Sequence, residues 1–572
     1  MNSNGVRRLS AIVVIALLVF GLFLALTLDS DFGKVEVKTI TISDGDKELS
    51  GLLYRPQPAS ADNPFPAIVI AHGISSSKEM MSSIGLELSR QSIVTLCLDL
   101  LGHGRSGGTV NDGTRDPSFG VLAAVQYLEA QPFADSSRIG LIGHSLGAGA
   151  VRATVAADNQ IEALVLIAGG LGNIVESPEY GQFNSTFPKN LLVIVGKYDV
   201  LFNLTEVTTE ELPPMFGTQQ EVVQDVTYGS IAAKTARKFV APATTHLFEP
   251  FDSTAISEIV EWMKISLIPQ GSAEAEADTS MIYVARESAI LFALIGLFGI
   301  VFLMLFPVSR ILRLETSEIA PVTDTGSKVW KRQAVWGVLN IALFLPMLAA
   351  GLAIPFPPLL FGRSIAWWML VVGLVGIFLV AVKHPKFLAE PELKEKLKRA
   401  LSRKQIILAS ALFLMLFTGI SLIEVLFNLD FRIITPIFRI LTDSRRIFAF
   451  SAFLPFFLAY FLGEGMYLHD HHNPNPQGKL AVLREYGSTI FAKIAPFLAI
   501  ICLQYLPKLL FDVWILPGFA GFIFEFLWLI VPIFIITTTS SWWFYRNTKR
   551  IGAGAVFNAL TMAWVAAVVF PF

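Results

Sequence analysis

Two hydrophobic patterns divide the chain. Val35 to Ser43 alternates apolar and polar positions, as a half-exposed strand does, and Leu49 to Tyr54 is suited to pair with it. Pro66–Ala71, Ile93–Leu98, Ile139–Ile142, Ala163–Ile167 and Leu191–Val195 are short unbroken apolar runs, the mark of strands buried on both faces of a parallel sheet. Lys238–Val240 fits a last strand. The spacing predicts helices over about Lys78–Gln91, Ser118–Ala130, Leu146–Ala156 and Ser253–Ile265. Strands alternating with helices predict an α/β fold, a mostly parallel sheet covered on both faces.

The second pattern is longer. Apolar runs near bilayer length fall at Ala11–Leu28, Ser288–Val308, Val335–Ile354, Ile365–Val382 and Ile406–Leu426. More follow at Ile447–Leu462, Thr489–Leu506, Ile515–Thr538 and Ile551–Phe570, about nine spans in all. The expected organisation is an N-terminal anchor over 1–29, an α/β domain over 30–275 and a multi-pass, all-α region over 286–572. The first run ends in Leu-Thr-Leu-Asp-Ser-Asp without a small-residue cleavage site, which favours an uncleaved anchor over a signal peptide.

Composition sharpens this division. Of the 572 residues 53% are hydrophobic and only 16% charged, against about 25% charged in soluble domains. A net charge of −2 gives no reason to expect nucleic acid as a partner. The two cysteines, Cys97 in a strand and Cys502 in a span, are expected to be packing residues that never meet.

The basic residues set an expected orientation. Arg7 and Arg8 place the N-terminus in the cytoplasm and the α/β domain outside; Arg310, Arg313, the Lys383–Lys404 loop, Lys479, Arg484 and Arg546 then fall inside. One segment dissents: Arg432, Arg439, Arg445 and Arg446 fall outside. Phe431 to Arg446 mixes arginine with Ile and Phe, which suggests an amphipathic helix on the outer surface or a miscounted span.

Candidate chemistry sits at the carboxyl ends of the predicted strands, where open α/β sheets bind ligands. Gly143-His144-Ser145-Leu146-Gly147 reads G-x-S-x-G between a strand and a helix, the pattern of a nucleophile elbow. A serine needs a base, and the base an orienting acid. Asp199 ends a turn after Leu191–Val195, and His246 follows the last strand, in the order serine, acid, histidine. The backbone N–H groups of Ile74, after Ala71-His72-Gly73, and of Leu146 are the candidate oxyanion donors. His72, His103 and His144 are expected to be structural, Asp135 lies at the wrong end of the sheet, and Asp252 is out of order.

With His72-Gly73, the Asp99-Leu100-Leu101-Gly102-His103-Gly104-Arg105-Ser106 loop, the Ser145 elbow and the Asp199/His246 pair in view, Val35 to Ile265 resembles an α/β-hydrolase. It is similar to the branch that includes monoacylglycerol lipases, esterases and serine aminopeptidases. The resemblance implies Ser145, Asp199 and His246 as the catalytic residues, and no cofactor or metal. It covers under half of the chain and says nothing about the spans.

Other features keep alternatives open. The roughly 46 residues between Asp199 and His246 exceed an ordinary connection, so Leu201–Phe216 is either a lid or a helix with a long loop. Asn184 and Asn203 open glycosylation sequons. Within the spans, Asn340, Glu424, Glu464, Lys493, Gln504, Glu525 and Asn558 are costly polar residues. Glu424 and Glu525 are expected to line a cavity, pair with Lys493 or hydrogen-bond between helices. His469-Asp470-His471-His472 has ligand chemistry but no closed ligand set. The leading expectation is an outward-facing, membrane-anchored serine hydrolase whose partners are the bilayer and an acyl ester, lipid or peptide substrate. A transporter or lipid-handling protein with an accessory hydrolase domain, and an acyltransferase using the same residues, are the alternatives. Oligomeric state is not readable.

Overall fold

Runs such as Ala-Ile-Val-Ile-Ala leave no polar side for water, so they form strands covered above and below. The computed structural model describes residues 3–171, 180–269, 280–314, 327–383, 392–433, 435–441, 443–469 and 478–572. Its main sheet contains β1 (Val35–Asp44), β2 (Lys47–Pro56), β3 (Phe65–Ala71), β4 (Val94–Leu98) and β5 (Ala134–His144). β6 (Ala163–Ile167), β7 (Leu191–Ile194), β8 (Thr227–Tyr228) and β9 (Arg237–Val240) complete it. The order is β1-β2-β4-β3-β5-β6-β7-β9-β8. Every pairing from β4 through β9 is parallel, whereas β1, β2 and the two-residue β8 pair antiparallel.

Alternate strand residues feed two cores. Val69, Leu96 and Leu141 face α3 (Val121–Glu129) and α4 (Leu146–Ala157), and Ile68, Ile70 and Ile142 face α2 (Ser82–Ser89) and α7 (Ser253–Leu267). Between Asp199 and β9 the chain forms α5 (Leu204–Glu206), one π-helical turn and α6 (Leu212–Phe216). Val207, Leu212, Met215 and Phe216 are buried in the sheet's core, so this segment is a packed helix and loop.

Among the described residues nine helices are long and apolar enough to cross a membrane. They are α1 (Ser3–Asp29), α8 (Tyr283–Ile311), α9 (Ser327–Ala353), α10 (Gly362–Lys383), α12 (Arg403–Phe427), α13 (Ser444–Tyr467), α14 (Lys479–Phe511), a helix pair and α17 (Gly552–Val569). The pair is α15 (Gly518–Glu525) and α16 (Leu527–Thr548), where the sequence reading placed one continuous span; α11 (Glu392–Ala400) is a short polar helix between spans. Small residues set the closest crossings. A Cβ on Gly463 would lie 2.2 Å from the Gly373 carbonyl oxygen, so α10 and α13 meet backbone to backbone. Cys502 is exposed on α14, a correction to its reading as a packing residue; Cys97 is buried as expected.

The segment read as an amphipathic helix is instead a hairpin, β10 (Phe431–Ile433) with β11 (Thr435–Phe438). β-Branched residues and Pro436 disfavour a helix there. Its arginines point into protein. Arg432 Nε lies 2.9 Å from Glu287 Oε2, and Arg439 donates to Glu79 Oε2 at 2.8 Å. Arg105 of the α/β domain pairs with Glu424 of α12. Arg286 of α8 joins Asp29 at 2.7 Å, and Tyr54 of β2 donates to that same carboxylate at 3.2 Å. The Arg439–Glu79 and Arg105–Glu424 pairs and the Tyr54–Asp29 bond fasten the α/β domain to the ends of the spans, while Arg432–Glu287 and Arg286–Asp29 tie those ends to one another.

Candidate active site

The turn after β5 requires its glycines. A Cβ on Gly143 would lie 2.2 Å from the Gly147 carbonyl oxygen, and one on Gly147 would lie 2.5 Å from that of Ala71. Ser145 between them has φ 54° and ψ −113°, a strained conformation for a residue with a side chain. Its N–H donates to Ile167 at 2.8 Å, which locks the elbow to β6. Leu146 opens α4, so its N–H has no acceptor within the helix. Gly73 packs against the same point, since a Cβ there would lie 3.2 Å from Ser145 Cβ. Ile74 is the next residue, and Ile74, Ser145 and Leu146 are all half-buried.

The acid and the histidine come from neighbouring strands. Asp199 follows β7 in a turn closed by its own N–H on Gly196 O at 3.0 Å, and His246 opens a 3₁₀ helix after β9. His246 Nδ1 donates to Asp199 Oδ2 at 2.7 Å, and Leu201 N–H holds Asp199 Oδ1 at 2.8 Å. Both side chains are buried. Burial lowers the imidazole pKa, but the charge and hydrogen bond of Asp199, with a further contribution from Glu525, outweigh it and hold His246 above its ordinary value.

The remaining histidines are tied up elsewhere. His72 Nδ1 donates to Gly73 O at 2.7 Å while Nε2 accepts from Leu100 N–H at 3.1 Å, fixing the Gly73–Ile74 loop against the Asp99 loop. His103 Nδ1 meets Leu101 O at 3.0 Å. His144 Nε2 meets His246 O at 3.0 Å. Burial pushes all three down, His103 to about 3, so they are neutral at pH 7. Asp99 is a scaffold as well: it accepts from Lys78 Nζ at 2.6 Å and from Arg105 N–H at 2.9 Å. Asp135 accepts from Ser137 and Arg138 at the start of β5, and Asp252 caps α7.

Two acids lie beside the imidazole: Glu249, which escaped the sequence reading, and Glu525, which that reading placed within a span. Glu249, three residues after His246 and fully buried, accepts from Gly196 N–H at 2.6 Å. Burial and then the charge of Asp199 push its carboxyl well above the ordinary range. Ligating atoms of His144, His246 and Glu249 lie within 4.8 Å of one another, and each residue already bonds to protein. The second acid is Glu525, which accepts from Leu247 N–H at 2.9 Å and from Tyr505 OH at 2.8 Å. Its sequence reading offered Lys493 as a partner; Lys493 instead pairs with Glu464 at 2.5 Å, and Glu424 with Arg105. Of the histidine cluster after α13, His469 is buried, and residues 470–472 lie outside the described residues.

The nine-stranded, mostly parallel sheet with helices on both faces, a serine elbow after β5 and an acid–histidine pair after β7 and β9 define an α/β-hydrolase domain, here joined to a multi-pass helical region. Residues 68–286 match the alpha/beta hydrolase family. Similar solved structures include an esterase of Pyrococcus furiosus, 18% identical, with 42% of this chain and 96% of that chain covered and a TM-score of 0.31. A dienelactone hydrolase of Anabaena variabilis is 20% identical, with 40% and 94% covered and a TM-score of 0.27. A dienelactone hydrolase-like promiscuous phosphotriesterase from metagenomic libraries is 17% identical, with 40% and 96% covered and a TM-score of 0.31. No curated protein matches the chain.

Proposed function

We propose that the protein is a membrane-anchored serine hydrolase that cleaves an ester or amide bond through an acyl-serine intermediate. The observation that carries this reading is the 2.7 Å bond from His246 to Asp199 beside a serine held on a strained, glycine-flanked turn. Ser145 Oγ attacks the substrate carbonyl as His246 takes its proton. The scissile bond breaks, and the leaving group receives that proton. Water, deprotonated by His246, then releases the acid and restores Ser145. Asp199 orients the imidazole and stabilises its charged form. The N–H groups of Ile74 and Leu146 hold the oxyanion, each contributing about 3–4 kcal/mol to the transition state.

The spans anchor the domain, and the lysines and arginines of the opposite loops assign it to the outer face, near lipid or envelope substrates. A fluorophosphonate probe should label the wild-type protein and leave Ser145→Ala unlabelled, with hydrolysis abolished in the folded variant. Undiminished turnover in Ser145→Ala would refute the assignment. For orientation, Cys introduced at exposed Asn159 should react with an impermeant thiol reagent in intact cells; reaction only after lysis would place the domain inside.

A further inference from the structure

The membrane half reaches His246 through one short helix. On α15 the helical period sets Gly518, Gly521, Phe522 and Glu525 on one side, and that side docks on the hydrolase domain. Gly518 N–H donates to Val200 O at 2.8 Å, and Glu525 accepts from Leu247 N–H. A Cβ on Gly521 would lie 2.4 Å from the Val200 side chain, so glycine permits the close approach. Val200 follows Asp199 and Leu247 follows His246, so both attachments fall beside the acid–histidine pair. Leu201–Phe216, the stretch the sequence offered as a lid, packs into the sheet's core. α15 stands over the base in its place.

Phe522 is the side chain this docking delivers. Its ring meets the His246 imidazole edge to face, with centroids 5.2 Å apart and planes at 87°. His144 packs on the same imidazole at 5.0 Å, and Asp199 takes Nδ1. The Nε2 side is left for the reaction. His246 is only 3% exposed whereas Phe522 is half-buried, so Phe522 forms the boundary between the imidazole and its surroundings. Phe526 at 5.5 Å and Phe519 at 6.1 Å extend this aromatic surface away from the base. The charged neighbour on α15 is Glu525, and both its oxygens are engaged, Oε2 by Leu247 N–H and Oε1 by Tyr505 OH.

The path of the proton decides which part of a substrate meets this ring. As Ser145 Oγ bonds to the carbonyl carbon, its proton passes to His246; as the carbon–oxygen bond of the ester breaks, His246 gives that proton to the departing oxygen. The leaving group must therefore come within hydrogen-bond reach of the imidazole, while the acyl part stays with Ser145 and the N–H groups of Ile74 and Leu146. A side chain packed on His246 is a neighbour of the leaving group. We propose that Phe522 is a specificity-determining residue: its ring walls the leaving-group side of the site, favours an uncharged, apolar alcohol there and limits its bulk. The proposal rests on the serine-hydrolase reading and adds the class of leaving group and the residue that selects it. An aromatic ring gives such an alcohol apolar contact and gives a charged head group no compensation for lost water.

The test uses the full-length protein in detergent and compares kcat/KM for butyrate esters that share one acyl group. Wild type should cleave cyclohexyl butyrate at least about tenfold faster than the 4-carboxycyclohexyl ester. Phe522→Ala should raise the cyclohexyl-to-methyl ratio at least about tenfold, and Phe522→Trp should lower it by a similar factor. A purely structural role, in which Phe522 only steadies His246, slows both esters alike and leaves that ratio in place. The hexanoate-to-acetate ratio of the methyl esters should not move in either variant. An unchanged leaving-group ratio in both variants, a shift in the acyl ratio instead, or equal cleavage of the carboxylate ester overturns the role given to Phe522 and leaves the hydrolase reading standing. Full turnover by Ser145→Ala, or none by wild type, overturns both.

Discussion

Glu525, at the end of a membrane-half helix, accepts a 2.9 Å hydrogen bond from the backbone N–H of Leu247, the residue next to His246. The base of the proposed reaction, His246, is thereby positioned in part by the membrane half. The charge matters as well as the bond, because Glu525 adds to Asp199 in holding the His246 pKa above its ordinary value against burial.

That electrostatic link predicts a pH shift. His246 acts as a base only when neutral, so activity rises as pH passes its pKa. Removing a nearby negative charge destabilises the imidazolium and lowers that pKa. Glu525→Gln keeps an acceptor for Leu247 N–H and should move the acid limb of the kcat/KM profile to lower pH. A limb that stays in place in a pH–rate series would show that Glu525 acts through the hydrogen bond alone.

Asp199→Asn should cost far more. The amide cannot stabilise the imidazolium, and burial disfavours the charged form of the adjacent Glu249, so it is a poor substitute for the lost charge. A fall in kcat/KM on the order of 10³–10⁴ is expected, with KM little changed. Ester turnover by the purified variant, checked against its near-UV circular dichroism, measures it.

Much of this was readable beforehand for a local reason. The elbow at Ser145 depends on residues at 143 and 147, and the buried strands on contiguous apolar runs, so their signals lie within a few positions. The hairpin at Phe431–Phe438 was missed because its arginines find partners far away in sequence, Glu287 for Arg432 and, 360 positions away, Glu79 for Arg439; without those acids in view, Arg mixed with Ile and Phe has the composition of a surface helix. Glu249 had no signal beyond its place three residues after His246, since its raised pKa comes from burial. The break at Phe526 that frees α15 from α16 interrupts no hydrophobic run, so hydropathy could not reveal it.

The ion pair between Arg439 and Glu79 predicts how the two halves separate. Burial alone would raise the Glu79 pKa, but Lys78 and Arg439 hold it well below the ordinary value of 4.5. A depressed folded pKa means the stabilisation is full above that ordinary value and is lost as pH falls toward the folded one. Arg439→Ala leaves Glu79 with Lys78 and the weaker charge of Arg105 and should destabilise by about 3–5 kcal/mol. The loss should be read as a lower Tm in detergent at pH 7, and the gap to wild type should narrow below pH 4.5.

Within the spans, Lys493 and Glu464 pose a question that a double-mutant cycle answers. Their side chains meet at 2.5 Å and are almost wholly buried, with Lys493 Nζ also 4.5 Å above the Phe534 ring. A buried pair is weak evidence for stability, because desolvation consumes most of its Coulombic gain, whereas one stranded partner is costly. Lys493→Met alone should therefore lower stability by about 3–5 kcal/mol, and Lys493→Met with Glu464→Leu should recover to within about 1–2 kcal/mol of wild type. If the pair only joins α13 to α14, the double variant should also keep full ester turnover. Recovered Tm with lost turnover would instead assign the pair a part in the reaction cycle.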